Sequence, residues 1–372
     1  MMMFVGSLVG TDLAPSPAWA TLPIAAMVVG TALGVMPATR VMRRLGRKWG
    51  LLSYCLLGAF SCLFGGFAVA QQSFVLFCFS AALLGATNAA LQQMRFAAME
   101  SVTERHSPSA AALVMCGGIV AAILGPELAV MGYEFTAVAY EGSYWLVAVS
   151  FIGAALLLLG YQGQEQTITL SQGEGRSIGE LLMSPSFCLA LASGCVAFVV
   201  MSFVMTGTPI SMHHHQGHSL EDTKWVIQWH IASMFLPSLA APLLFRWLKI
   251  RGLMVAGLLC YCGTIVIGLL DLSVMGYWYQ LVLLGIGWNF LFVSGTALLP
   301  SSYEPHEAYR AQALNDSAVF SMQAVAALTA GLAISHFSWA SILLVCLLPM
   351  VLMLVVLLRE RYTATDAPPT TA

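Results

Sequence analysis

The sequence predicts an all-α polytopic membrane protein made of two six-helix bundles. Three observations carry that prediction. Hydrophobic residues make up 59% of the 372 positions and charged residues only 9%, whereas an ordinary soluble domain carries about 25% charge. Apolar runs of the ~20 residues needed to cross a bilayer recur along the chain. Basic residues gather on alternate connections between those runs. A net charge of −2 with no basic domain excludes a nucleic-acid-binding protein. The nine cysteines stand singly inside apolar runs, apart from Cys260-x-Cys262, and read as packing residues rather than bridges or metal ligands.

Residues 1–13 are apolar but too short to cross, and they lack the charged start and cleavage site of a signal peptide. They read as the last half of span 1, which is therefore N-terminally shortened. Eleven full-length spans follow, near 18–39, 51–70, 73–95, 109–131, 143–161, 186–208, 225–246, 253–271, 277–300, 313–335 and 338–358. Pro126, Pro237 and Pro242 fall inside spans, where neighbouring groups satisfy the backbone that a proline frees. With twelve spans and an internal N-terminus, fourteen of the fifteen basic residues lie on inner connections and only Lys224 lies outside. One span more or fewer would scramble that split. Trp19, Trp145, Trp225, Trp278 and Trp339 then mark outer span ends and Trp49 and Trp247 inner ones, as interfacial belts do.

The longest polar stretch, Gln162 to Ser184, divides the chain. The resulting organisation is a first transmembrane half over 1–161, a cytoplasmic linker over 162–185, a second half over 186–358 and a cytoplasmic tail over 359–372. The halves echo each other. Leu83-Leu84-Gly85 and Leu283-Leu284-Gly285 are 200 residues apart, as are Glu104-x-His106 and Glu304-x-His306, and Asn88 and Asn289 are 201 apart. Such a repeat is the usual build of a secondary transporter.

The basic loop Arg43-Arg44-Leu45-Gly46-Arg47-Lys48, its reduced echo at 246–251 and Gly125-Pro126 in span 5 resemble the major facilitator superfamily. The resemblance runs from mid-span 1 to the end. It implies the two-bundle fold, a central cavity lined by spans 1, 4, 7 and 10, and solute transport rather than an enzyme activity. Thr39 and Arg43 stand where the family's loop usually has Gly and Asp. Ala81, Ala121 and Val130 replace the Arg and Gly residues of drug/proton antiporters. These departures count against drug efflux and leave the fold implication intact.

Several residues are candidates for function. Arg43, Arg44 and Arg47 could pair with Glu100 and Glu104, and Arg246, with Lys249 and Arg251, with Glu304 and Glu307. That would make a cytoplasmic gate, although the same cations also serve simply to hold a loop inside. Asn88, Gln92 and Arg95 form one stripe of span 4. Arg95 lies at the inner boundary and is expected to snorkel, while Asn88 and Gln92 are too deep to be left bare in lipid. With Thr206, Trp288 and Asn289 they make the candidate substrate set; interhelical packing is the alternative role. Glu127 is a carboxylate inside a span, a functional candidate by default. With His230 and Gln228 it forms a candidate proton-coupling group; a capping or vestibule role is the alternative. His213, His214, His215 and His218 read as a solvated loop rather than a metal site, and Asp316 as a helix N-cap.

No G-x-x-x-x-G-K-[ST] motif is present, so no cofactor is expected and energy must come from a gradient. The expected function is secondary active transport of a small organic solute by alternating access, coupled to protons. An uncoupled facilitator, a drug or metabolite efflux pump and a non-transporting sensor are the alternatives. The expected partners are the solute, protons and the lipid bilayer, with a monomer in the inner cell membrane and both termini cytoplasmic.

Overall fold

The computed structural model describes residues 6, 9–10, 12–16, 19, 22–133, 135–162, 176–209, 211–212 and 216–365. Every regular element among them is helical, as a bilayer demands of a chain that cannot close a barrel. Among the described residues seven helical runs are long and apolar enough to cross a membrane. Two of these, Leu22–Ala70 with 49 residues and Glu221–Leu270 with 50, are more than twice the length of one crossing, and each is broken midway.

The break in helix α1 (Leu22–Ala70) lies at Gly46, with φ 80 and ψ 166, so α1 supplies spans 2 and 3. Span 4 is α2 (Phe74–Leu91), capped by the Ser73 side chain, followed after Gln92 and Gln93 by α3 (Met94–Glu100). Helices α4 (Ser107–Tyr133) and α5 (Glu141–Leu159) are spans 5 and 6. The linker contributes α6 (Ile178–Met183), opened by a capping box in which Ser177 and Glu180 satisfy each other's backbone amides. Span 7 is α7 (Pro185–Pro209). Span 8 begins as α8 (Leu220–Phe235), tightens into a 3₁₀ turn over Leu236–Ala240 at Pro237, and continues into α9 (Ala241–Leu270). The second long break lies at Lys249, with φ 57 and ψ 173; span 9 is the rest of α9. Helices α10 (Val274–Leu298) and α11 (Ala308–His336) are spans 10 and 11, and α12 (Trp339–Val345) with α13 (Leu347–Thr365) is span 12.

By contacts the chain forms two compact units. One holds Met1–Thr103 and Val120–Thr169, the other Glu104–Ile119 and Leu170–Ala372. The first unit is built on α1 against α2, where a side chain on Gly85 would collide with the Met27 carbonyl. In the second unit Gly285 holds the same place against α8, where a Cβ would lie 2.8 Å from the His230 carbonyl. The repeated Leu-Leu-Gly thus performs one task twice, the close crossing of two helices. Aromatic rings fill both cores. Phe77 meets Tyr144 edge-on at 5.7 Å in the first, and Phe198 meets Trp288, Phe292 and Phe320 at 5.0–5.5 Å in the second.

Asp316 departs from its expected N-cap role. Helix α11 starts eight residues earlier, at Ala308, and Asp316 is fully buried inside it, with Oδ1 accepting from the Asn315 amide at 3.0 Å. The first turns of α11 are polar, so an apolar-run criterion places the helix start too late.

Gly46 and Lys249 adopt nearly the same backbone conformation, one that L side chains rarely hold and that costs about 1–3 kcal/mol when they do. No neighbouring atom lies within 4 Å of a Cβ placed on Gly46, so the effect of substitution there is backbone strain alone. Lys249→Gly is therefore expected to raise the melting temperature in detergent and Gly46→Ala to lower it. Equal and opposite shifts of a few degrees are the expected reading; no shift in either variant would refute the strain assignment.

Candidate solute path and its charged flanks

In the first unit Asn88 is exposed on α2, and its Nδ2 reaches the Thr31 hydroxyl oxygen only at 3.5 Å. One turn later α2 ends. The Gln93 amide bonds to the Ala90 carbonyl, an i→i+3 bond that overwinds the chain locally before α3 begins. Arg95, just after that turn, does not snorkel. It is 2% exposed, its guanidinium lies 4.5 Å from the Phe96 ring centre, and one terminal nitrogen donates to the Gln92 carbonyl at 3.0 Å and to its Oε1 at 3.4 Å.

Below that turn Arg47 grips Glu100 in fork geometry, Nε to Oε2 at 3.0 Å and a terminal nitrogen to Oε1 at 2.6 Å. Its other terminal nitrogen donates to Gln93 Oε1 at 3.0 Å. Gln93 in turn donates to the Thr39 hydroxyl at 2.7 Å, which donates to the Val35 carbonyl at 2.8 Å. The chain of bonds ties the loop between spans 2 and 3 to the end of span 4, and a bidentate Arg–carboxylate pair is its strongest link. Gln93 and Thr39 escaped the sequence reading. The only signal was Thr39 replacing the family's glycine. Arg43, Arg44 and Glu104 are exposed, as is Glu127 on α4.

In the second unit Asn289, the repeat partner of Asn88, is buried and satisfied. Its Nδ2 donates to the Met234 carbonyl and to the Ser238 hydroxyl, both at 2.7 Å, bracketing the turn that interrupts span 8. Trp288 is buried against Phe198, Phe235 and Phe292, and its indole N–H has no hydrogen-bond partner among the described residues. Thr206 on α7 and Gln228 on α8 are exposed. His230 is fully buried, with Nδ1 2.8 Å from the Leu281 carbonyl. A carbonyl only accepts, so Nδ1 carries the proton, and Nε2 has no partner among the described residues.

Arg246 and Glu304 are exposed. Glu307, in contrast, is buried and held by Arg176 of the linker, a residue that sequence reading did not single out. The Arg176 backbone amide donates to Oε1 at 2.7 Å, Nε to Oε1 at 3.1 Å, and a terminal nitrogen to Oε2 at 2.6 Å. That terminal nitrogen also donates to the Ser302 carbonyl at 3.0 Å, and the Glu304 amide adds a bond to Glu307 Oε2 at 3.0 Å. The Arg176 hydrogen bonds pull the Glu307 carboxyl down to about 2. His213, His214 and His215 lie outside the described residues. Among the described residues no three His, Cys, Asp or Glu side chains converge as metal ligands would.

The Major Facilitator Superfamily model matches residues 1–327 of this chain. The chain belongs to that superfamily. It is 34% identical over 345 residues to the riboflavin transporter RfnT of Brucella anthropi, covering 92% of this chain and 86% of the relative. It is 27% identical over 357 residues to YddS of Bacillus subtilis, an uncharacterised transporter of the same type, covering 90% of this chain and 81% of that one. The fold is that of the E. coli fucose:proton symporter FucP, with a TM-score of 0.69 at 13% identity over 95% of this chain and 93% of that one. This superfamily member is thus a multi-pass membrane transporter of a small solute and not an enzyme.

Two tests follow from the geometry. Asn289→Ala strips the donor from the buried Ser238 hydroxyl and the partly buried Met234 carbonyl and is expected to cost about 1–3 kcal/mol, whereas Asn88→Ala leaves thermal stability in detergent nearly unchanged. Glu307 titrates below its ordinary 4.5, so its contribution to stability is complete above that value and fades as pH falls through about 2. Between pH 4.5 and 2 the wild-type melting temperature should fall more steeply than that of Glu307→Gln; parallel profiles would contradict the clasp.

Proposed function

We propose that this superfamily member is a proton-coupled secondary transporter of riboflavin-type solutes that works by alternating access. The observation that carries the reading is the 34% identity, over 92% of the chain, to a riboflavin transporter. A flavin ring is planar and uncharged, with imide N–H, carbonyl and ring-nitrogen groups and a hydroxylated side chain. The candidate substrate residues suit such a solute. Asn88 and Gln92 offer amide donors and acceptors and Thr206 a hydroxyl, while Trp288 and Asn289 brace the interior of the second unit.

Coupling falls to Glu127, a carboxylate exposed within a span, with His230 and Gln228 completing the proton-handling set. Arg43, Arg44, Arg47, Glu100, Glu104, Arg246 and Glu304 form the charged cytoplasmic gate. The protein works as a monomer in the cell membrane with both termini cytoplasmic.

The test is riboflavin uptake into proteoliposomes under an imposed pH gradient, followed by flavin fluorescence. Wild-type protein should accumulate riboflavin only with the gradient. Glu127→Gln should carry riboflavin down its own gradient but ignore the proton gradient. Asn88→Ala should raise KM about three- to ten-fold, the loss of one neutral hydrogen bond. No riboflavin flux in wild-type vesicles would overturn the substrate, and a Glu127→Gln variant that still responds to the pH gradient would overturn the coupling residue.

A further inference from the structure

An apolar groove of about 710 Å³ opens in the first unit between spans 3, 4 and 6. Its wall includes Cys55, Leu91, Met94, Phe151, Ala154 and Leu157. The wall also carries Ser150, whose hydroxyl donates to the Leu146 carbonyl at 3.2 Å; the rest of it is apolar up to the rim, so the groove differs in chemistry from the Asn88–Gln92 stripe. Its neighbours on spans 3 and 6 face outward. Leu56 is 50% exposed, Leu156 63% and Leu157 81%, as residues in contact with lipid are in a chain of this kind.

The groove ends at the face that carries the basic loop. Gly160 and Tyr161, at the end of α5, close its rim, and Cys55 lies eight residues beyond Arg47, about 12 Å along span 3 at 1.5 Å per residue. The rim is where polar groups collect. Lys48 Nζ donates to the Leu159 carbonyl at 2.6 Å, one residue from the wall, which leaves two of its three N–H donors for another partner. The Tyr161 hydroxyl lies 3.1 Å from Ser101 Oγ and donates to the Ala97 carbonyl at 3.3 Å. Trp49, 55% exposed, stands beside Lys48 as an interfacial residue does. Arg40, Arg43 and Arg44 are exposed on the same loop, and the nearby carboxylate of Glu100 is neutralised by Arg47 at 2.6 Å.

An apolar slot of this size, open to hydrocarbon and ending at a cationic rim, has the layout of a lipid site: acyl chain below, phosphate above. We propose that the groove seats one acyl chain of an anionic glycerophospholipid from the leaflet on the basic-loop side, with the lipid phosphate at Lys48. Basic recesses between transmembrane helices hold anionic headgroups in this way, each cation near the surface adding about a five-fold preference. The lipid would bridge α1 and α5, bracing the first unit from outside without entering the solute path.

The experiment is native mass spectrometry of the full chain in detergent, titrated with dioleoylphosphatidylglycerol or dioleoylphosphatidylcholine. Wild-type protein should retain phosphatidylglycerol about five-fold better than phosphatidylcholine. Lys48→Gln should bring that ratio close to one while phosphatidylcholine retention stays as in wild type. Ala154→Trp, which fills the groove, should lower retention of both lipids; Ala154→Leu is the milder filling variant should the tryptophan destabilise the fold. Equal retention of the two lipids by wild type, or an unchanged ratio in Lys48→Gln, would overturn the headgroup assignment. Full retention in both Ala154 variants would overturn the acyl seat.

Discussion

In hydrocarbon there is no water to rescue a backbone carbonyl or amide that lacks a partner, and each such group costs several kcal/mol. This constraint governs where polar side chains occur in the chain. The 3₁₀ turn at Leu236–Ala240 interrupts span 8 beside a proline, and Asn289 reaches across from α10 to bond both the Met234 carbonyl and Ser238. Span 4 tightens into a turn at Gln92 and Gln93, and Arg95 bonds the Gln92 carbonyl. The amides of Gln93 and the hydroxyl of Thr39 close a further gap below it. Polar residues inside these spans are in several places the repair of a broken helix, and only those not engaged in repair are available to a solute.

The internal repeat shows the same division of labour. Gly85 and Gly285 make the same crossing, and Gly46 and Lys249 the same break. Side chains diverge where the backbone agrees. Asn88 is exposed with one long contact, while Asn289 is committed to the backbone of α8 and the turn after it. Glu100 is held by a loop arginine, while Glu307 is held by an arginine of the linker. Duplication explains the shared scaffold; the exchange of partners explains how two similar halves can offer a solute different chemistry.

How much of this could be read from the sequence follows from the length scale of each signal. Spans are set by ~20-residue apolar runs, and the all-helical membrane fold and the superfamily were legible because those signals are long and repeated. The break at Gly46 was visible as a glycine in a basic loop, and the matching break as the gap between spans 8 and 9 with its basic echo at 246–251; its seat at Lys249 was not, because a lysine gives no sign of a positive φ. The burial of Arg95 was not legible because its long side chain turns back to Gln92 and over Phe96, a choice that helical spacing does not encode. Asp316 was misplaced because a polar first turn hides the true start of α11. The Arg176–Glu307 clasp joins residues 131 apart, and no local pattern announces such a pair.

The placement of the two clasps bears on how a gate could work. Arg47–Glu100 lies within the first unit and Arg176–Glu307 within the second. A pair whose members belong to one compact unit keeps its geometry when that unit moves as a body, so neither clasp has to break in a rigid-body change of access. Each pair also has one buried member, Arg47 in the first and Glu307 in the second, which would lose its bidentate partner if the pair parted. Exposed charges change partners at a cost of about 0–1 kcal/mol each. Arg43, Arg44, Glu104, Arg246 and Glu304 are of that kind. Within the charged set proposed as the gate, the Arg47–Glu100 pair would therefore be the fixed anchor, and the exposed members are the ones whose interactions can follow a change of state.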